Sequence, residues 1–190
     1  MTATNEYLRM GRAIVGWPLA AAYVAAILAS LPVWPFDWHR AMHVVGAAML
    51  VGNALVMAVW LGLAGRMGRA SQMRHVARAV NLGDAWFTLP GVALLLLNGI
   101  AMVADRYGGI TALATTSWIT AGVVLLGLTG LVWAGGLVPA QLALYRLTVG
   151  ERPLDVDAFR RALKRWYACG LIATVLPIIA FVAMTMKRSL

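Results

Sequence analysis

Residues 41–63 read AMHVVGAAMLVGNALVMAVWLGL, a run of 23 positions without Lys, Arg, Asp or Glu. A helix rises about 1.5 Å per residue, so such a run reaches across the roughly 30 Å of bilayer hydrocarbon. Similar runs without Lys or Arg lie at about 13–34, 85–104, 117–140 and 167–186. Hydrophobic residues make up 62% of the chain and charged residues 12%, with a mean hydropathy of +0.79, which leaves little chain for a separate soluble domain. The expected fold is all-α: residues 1–190 form a single domain, an integral membrane bundle of five transmembrane helices.

The charges predict an orientation. Of 16 Lys and Arg residues, 12 fall in alternate flanking stretches: Arg9 and Arg12; Arg66, Arg69, Arg74 and Arg78; and Arg146, Arg152, Arg160, Arg161, Lys164 and Arg165. Only Arg40, Arg106, Lys187 and Arg188 lie on the other side. The positive-inside rule then puts the N-terminus in the cytoplasm and the C-terminus in the periplasm of a multi-pass protein of a bacterial inner membrane. The first run is too long for the core of a secretory signal and is expected to stay as a helix. A net charge of +9 beside apolar runs points to anionic lipid as a partner, not to nucleic acid.

Two basic linkers are amphipathic and are expected to lie as short interfacial helices on lipid. In 66–80, Met73, Val76, Ala77 and Val80 share a side; in 155–166, Phe159, Leu163 and Trp166 do, with Asp155 as N-cap. Trp34, Trp38, Trp60, Trp86, Trp118 and Trp166 fall near span ends and suggest aromatic belts. The sole cysteine, Cys169, excludes an internal disulfide and a thiolate metal cluster. In the fourth run, Gly130 and Ala134 have the spacing that lets helices approach closely.

Polar residues in the second and third spans recur in steps of four and three. His39, His43, Gly46, Leu50, Asn53, Met57 and Trp60 share one helix face; Asp84, Thr88, Gly91, Leu95, Asn98, Met102 and Asp105 share another. Polar side chains are costly against lipid, so Asn53, Asp84, Thr88 and Asn98 are expected to form an intramembrane polar core in which the two faces meet. Counting residues from the expected span ends puts Asn53 and Asn98 about one helical turn apart, close enough for an amide pair. Asp84 is expected to cap the start of its helix, ahead of Pro90, with a proton or cation role as the alternative.

His39 and His43, four residues apart on one face, can both reach one metal ion, and an imidazole can ligate haem iron. They are the candidate cofactor-binding and metal residues. Their shared face excludes ligation of one iron from opposite sides, and His75 is expected on the other side of the membrane. No nucleophile elbow, phosphate loop or zinc-protease motif is present, and no catalytic residue is assigned.

His43, Val44, Val45, Gly46, Ala47, Ala48 and Gly52, followed by Asp84, Phe87, Thr88, Pro90, Gly91, Asn98 and Gly99, resemble an uncharacterised family of bacterial predicted integral membrane proteins. The pattern is H-x-x-G, then D-x-x-F-T-x-P-G, over roughly residues 40–188; Met184 to Lys187 approximate the family's ending. The H-x-x-G helix is distantly similar to the copper-resistance D family and to HemJ-type protoporphyrinogen oxidases. That resemblance implies a haem b or copper ligand at His43 and no assigned reaction, since the Arg, Lys and further histidine of the HemJ type have no counterpart here. The sequence thus predicts an accessory or scaffold subunit with a membrane protein partner. The alternatives are a haem b or copper-binding redox protein using His43, and a small transporter with a path along Asn53, Thr88 and Asn98.

Overall fold

The computed structural model describes residues 34–148 and 153–187, together with Ala25. The expected first span at 13–34 lies outside the described residues except for Ala25 and Trp34. Among the described residues, four helices are long and apolar enough to cross a membrane. They are α1 (Phe36–Met67), α2 (Ala70–Arg106), α4 (Ser117–Thr148) and α5 (Val156–Met186). A single turn, α3 (Ala112–Thr115), links α2 to α4.

The helices are longer than the apolar runs because the basic linkers are helical and continuous with them. α1 ends where Gly68 adopts φ 69°, a left-handed conformation that suits glycine, and Arg69 alone separates that residue from α2. At 37 residues α2 is about 55 Å long and overruns the hydrocarbon by about 25 Å. α5 starts at Val156, where Asp155 Oδ1 accepts a hydrogen bond from Ala158 N at 2.8 Å, the N-cap expected from sequence.

The two amphipathic linkers do not lie flat on lipid. Met73, Ala77 and Val80 of α2 pack with Phe159, Leu163 and Trp166 of α5, Leu61 of α1 and Leu144 of α4 in a core at the basic end of the bundle. Leu61, Met73 and Phe159 are wholly buried there. The basic halves of α2 and α5 are upright, so their apolar stripes meet each other and their charges face outward. Trp166 belongs to this core and not to a belt, whereas Trp34, Trp38, Trp60 and Trp86 are exposed.

Through the apolar windows the picture reverses. Only 22% and 28% of the windows of α1 and α2, and 11% of those of α4 and α5, are buried. Leu55, Val59, Leu131 and Leu171 point outward, an arrangement suited to hydrocarbon surroundings. α1 packs along α2 and α4 along α5. Tyr167 of α5 donates to the Ala58 carbonyl of α1, opposite Gly62, and Leu163 lies against Gly65, which ties the pairs together towards the basic end. α4 meets α5 at Gly122 against Met184 and Gly136 against Cys169; Gly130 faces open space and makes no close approach.

Candidate functional site

α1 and α2 run antiparallel in heptad register. His39 lies against Asn98, Gly46 against Gly91, and Asn53 against Asp84, with seven residues between successive levels on both helices. Seven residues are about 10.5 Å of rise, so the outer and inner levels are about 21 Å apart.

At the middle level the two backbones touch. A Cβ on Gly46 would stand 2.5 Å from the Gly91 carbonyl oxygen and 2.6 Å from Leu95 N. Leu50 and Leu94 are buried beside this crossing. The polar residues therefore form two separate stations, with a close-packed apolar crossing between them.

The inner station gathers around Asp84. Its Oδ1 accepts from Asn53 Nδ2 at 3.2 Å and from Thr88 Oγ1 at 2.8 Å, and its Oδ2 accepts from Gln141 Nε2 at 3.0 Å. Asn53 Nδ2 also donates to Thr88 Oγ1 at 2.9 Å, and Gln141 Nε2 to Asn81 Oδ1 at 3.1 Å. Three helices thus supply this network. Gly83 makes room for it, since a Cβ there would lie 2.8 Å from Asn53 Oδ1.

Asp84 does not cap a helix. It opens a π-helical segment, Asp84–Thr88, inside the continuous α2. The cause is Pro90, which lacks an N–H and whose ring would clash with the carbonyl of Trp86 in a regular α-helix. The chain widens by a residue, and Leu89 N bonds to the Asp84 carbonyl five positions back. α4 repeats the device: a π segment at Trp133–Leu137 stands just before Pro139, with Val138 N bonded to the Trp133 carbonyl. Gln141 follows that second bulge. It was missed in the sequence because it lies just past the expected span, although a lone amide in LVPAQLALY, on the same side as Asp84, is the signal that could have found it.

The outer station holds both candidate histidines. His39 Nδ1 is 2.9 Å from Asn98 Oδ1, and Asn98 Nδ2 donates to the Leu94 carbonyl at 2.8 Å, which leaves the amide oxygen to accept and makes His39 Nδ1 the donor. His43 Nδ1 donates to the Leu95 carbonyl at 2.7 Å. In both rings Nε2 is then the nitrogen with the free lone pair. His39 is 3% exposed, and its Nε2 is buried without a hydrogen-bond partner. Trp34 stacks on its ring with centroids 6.2 Å apart, and Gly99 leaves room for the half-buried His43. Asn53 and Asn98 do not pair: both helices begin well before the span ends used to place them, so the two amides sit at different stations. His75 is exposed at the basic end, remote from both rings. No group of three or more His, Cys, Asp or Glu side chains comes together among the described residues.

A family described as predicted integral membrane protein (DUF2269) matches residues 38–188. The chain belongs to that family. The match begins in the first turn of α1 and takes in all four long helices and both stations. This family member is a multi-pass helical protein of the membrane. No curated protein and no solved structure matches it.

Proposed function

We propose that this protein binds a transition metal at its outer station and works as a copper or haem b redox protein, with His43 and His39 as ligands. The observation behind this reading is the buried, unpartnered Nε2 of His39, one turn from a second imidazole whose Nδ1 is also engaged. A buried polar atom without a partner costs about 1–3 kcal/mol, and a metal ion would remove that cost. Ligating histidines usually have the other ring nitrogen hydrogen-bonded to a carbonyl or similar acceptor, as Asn98 and Leu95 do here. Copper suits two imidazoles on one helix face, whereas haem iron would take His43 alone. Either group would supply one-electron chemistry; the chain's part is to fix the ring tautomers and hold both imidazoles against α2.

The close backbone packing at Gly46 and Gly91 weighs against transport along Asn53, Thr88 and Asn98. For a scaffold role, the outward apolar side chains are a poor argument, because lipid accounts for them. The bundle is proposed to sit in a bacterial inner membrane with its basic end in the cytoplasm and anionic lipid around it, which puts the histidines on the periplasmic side.

The test is metal analysis, with oxidised and reduced absorption spectra, on protein purified gently from its own membrane. Copper or haem near one per chain, lost in His43→Ala, supports the reading. Metal-free, colourless folded protein that takes up neither group would overturn it.

A further inference from the structure

We infer that the inner station is a binding site for one monovalent metal cation of the sodium class, held between the Asp84 carboxylate and the Gln141 side-chain oxygen. Two independent observations meet there. The first concerns charge: a carboxylate within a membrane span is expensive unless paired, and the partners of Asp84 are the neutral side chains of Asn53, Thr88 and Gln141. Arg78 is six residues away along α2, about 9 Å of rise towards the basic end.

The second is an orphaned acceptor. Gln141 is 7% exposed, and its Oε1 is buried without a partner. The orientation of this amide follows from its neighbours. Asn81 Nδ2 donates to the Ala77 carbonyl at 2.9 Å, so Asn81 turns its oxygen to Gln141, and Asp84 presents Oδ2. Both are acceptors, so Gln141 must offer them its NH₂ and leave its own oxygen bare.

A proton on Asp84 would remove the charge and still leave Gln141 Oε1 with nothing. One oxygen-seeking cation satisfies both. The side chains brought together here, Asp84, Gln141, Asn81, Thr88 and Asn53, offer oxygen and no sulfur or imidazole, a set suited to a hard cation. With a single carboxylate, a monovalent ion balances the site, whereas a divalent one would leave an excess charge in low dielectric. The π segment places the site on a helix interrupted at membrane depth, where backbone irregularity elsewhere accompanies ion binding.

The experiment is equilibrium binding of radiolabelled sodium to the full-length protein in nanodiscs, with thermal unfolding in sodium against choline chloride at equal ionic strength. Saturable binding near one sodium per chain is expected, with a higher melting temperature in sodium than in choline. Asp84→Asn, which keeps the shape of the side chain, should lower affinity by at least about tenfold, and Gln141→Met should weaken it too. The comparison of ions on the unaltered protein needs no variant to fold. Absence of saturable sodium binding, a melting temperature that follows pH alone, or full sodium affinity in a folded Asp84→Asn protein would each overturn the inference. Copper or haem at the histidines is read separately, so either proposal can fail without the other.

Discussion

Asn98 is one side chain with two tasks. Its NH₂ is anchored on the Leu94 carbonyl, and its oxygen receives His39 Nδ1, so the amide sets which nitrogen of that ring is free. Asn98→Leu keeps the volume and removes both bonds. An amide contact of this kind inside a membrane is worth about 0.6 kcal/mol and at most about 2, so the variant should fold with a modest loss of stability. Its effect on the outer station should be larger: loss of a supporting hydrogen bond typically lowers metal affinity about 10–100-fold. Copper titration of the wild type and Asn98→Leu in detergent checks this, and equal affinities would remove Asn98 from the site. At this scale the sequence showed the polar faces through their period of four and three, but not the partners. Which amide meets which group depends on register, and register depends on where α1 ends and α2 begins; that is settled by Gly68 and the packing of Met73 and Phe159, not by the apolar windows.

At the scale of the element, α2 departs most from what its residues suggest. Asp84, followed closely by Pro90, reads as the start of a helix, because a carboxylate caps free amides and proline is tolerated in a first turn. The helix instead continues back to Ala70, since nothing in 70–83 breaks it and a π turn absorbs the proline. The four described spans were legible from composition; their continuity with the basic linkers was not, because it rests on a backbone adjustment that no residue pattern announces. Pro90→Ala restores the missing N–H and lets the turn close to regular α-helix. Loss of one residue from the turn rotates Asp84 by about 100° relative to Gly91, away from Asn53. The coupling between Asn53→Leu and Asp84→Asn, measured as a double-mutant cycle in unfolding free energy, should therefore be about 0.6–1.7 kcal/mol with Pro90 and fall towards zero with alanine. An unchanged coupling would mean that packing, not proline, maintains the π turn.

For the whole molecule, the order of burial along the bundle predicts where its stability lies. Phe159 is wholly buried at the basic end, whereas Leu131, mid-way along α4, is 70% exposed. Phe159→Ala should cost about 3–5 kcal/mol of unfolding free energy in detergent, and Leu131→Ala well under 1, because an outward leucine exchanges one apolar contact for another. Similar costs would contradict a fold anchored at that end. The same asymmetry bears on orientation. The core there is ringed by Arg66, Arg74, Arg78, Arg160, Arg161, Lys164 and Arg165, while the opposite end has Arg40 paired with Asp37 at 3.4 Å and Arg106 set 4.1 Å over the Phe36 ring. Translocating the basic end would take those arginines and lysines across the bilayer; translocating the other end takes few. Reporter fusions after Gly109 and after Lys187 should therefore show high alkaline phosphatase activity and dark green fluorescent protein, and a fusion after Thr148 the reverse. The reversed pattern would put the basic end and its core outside the cell and move the paired histidines to the cytoplasmic face, where a metal would have to be supplied from within.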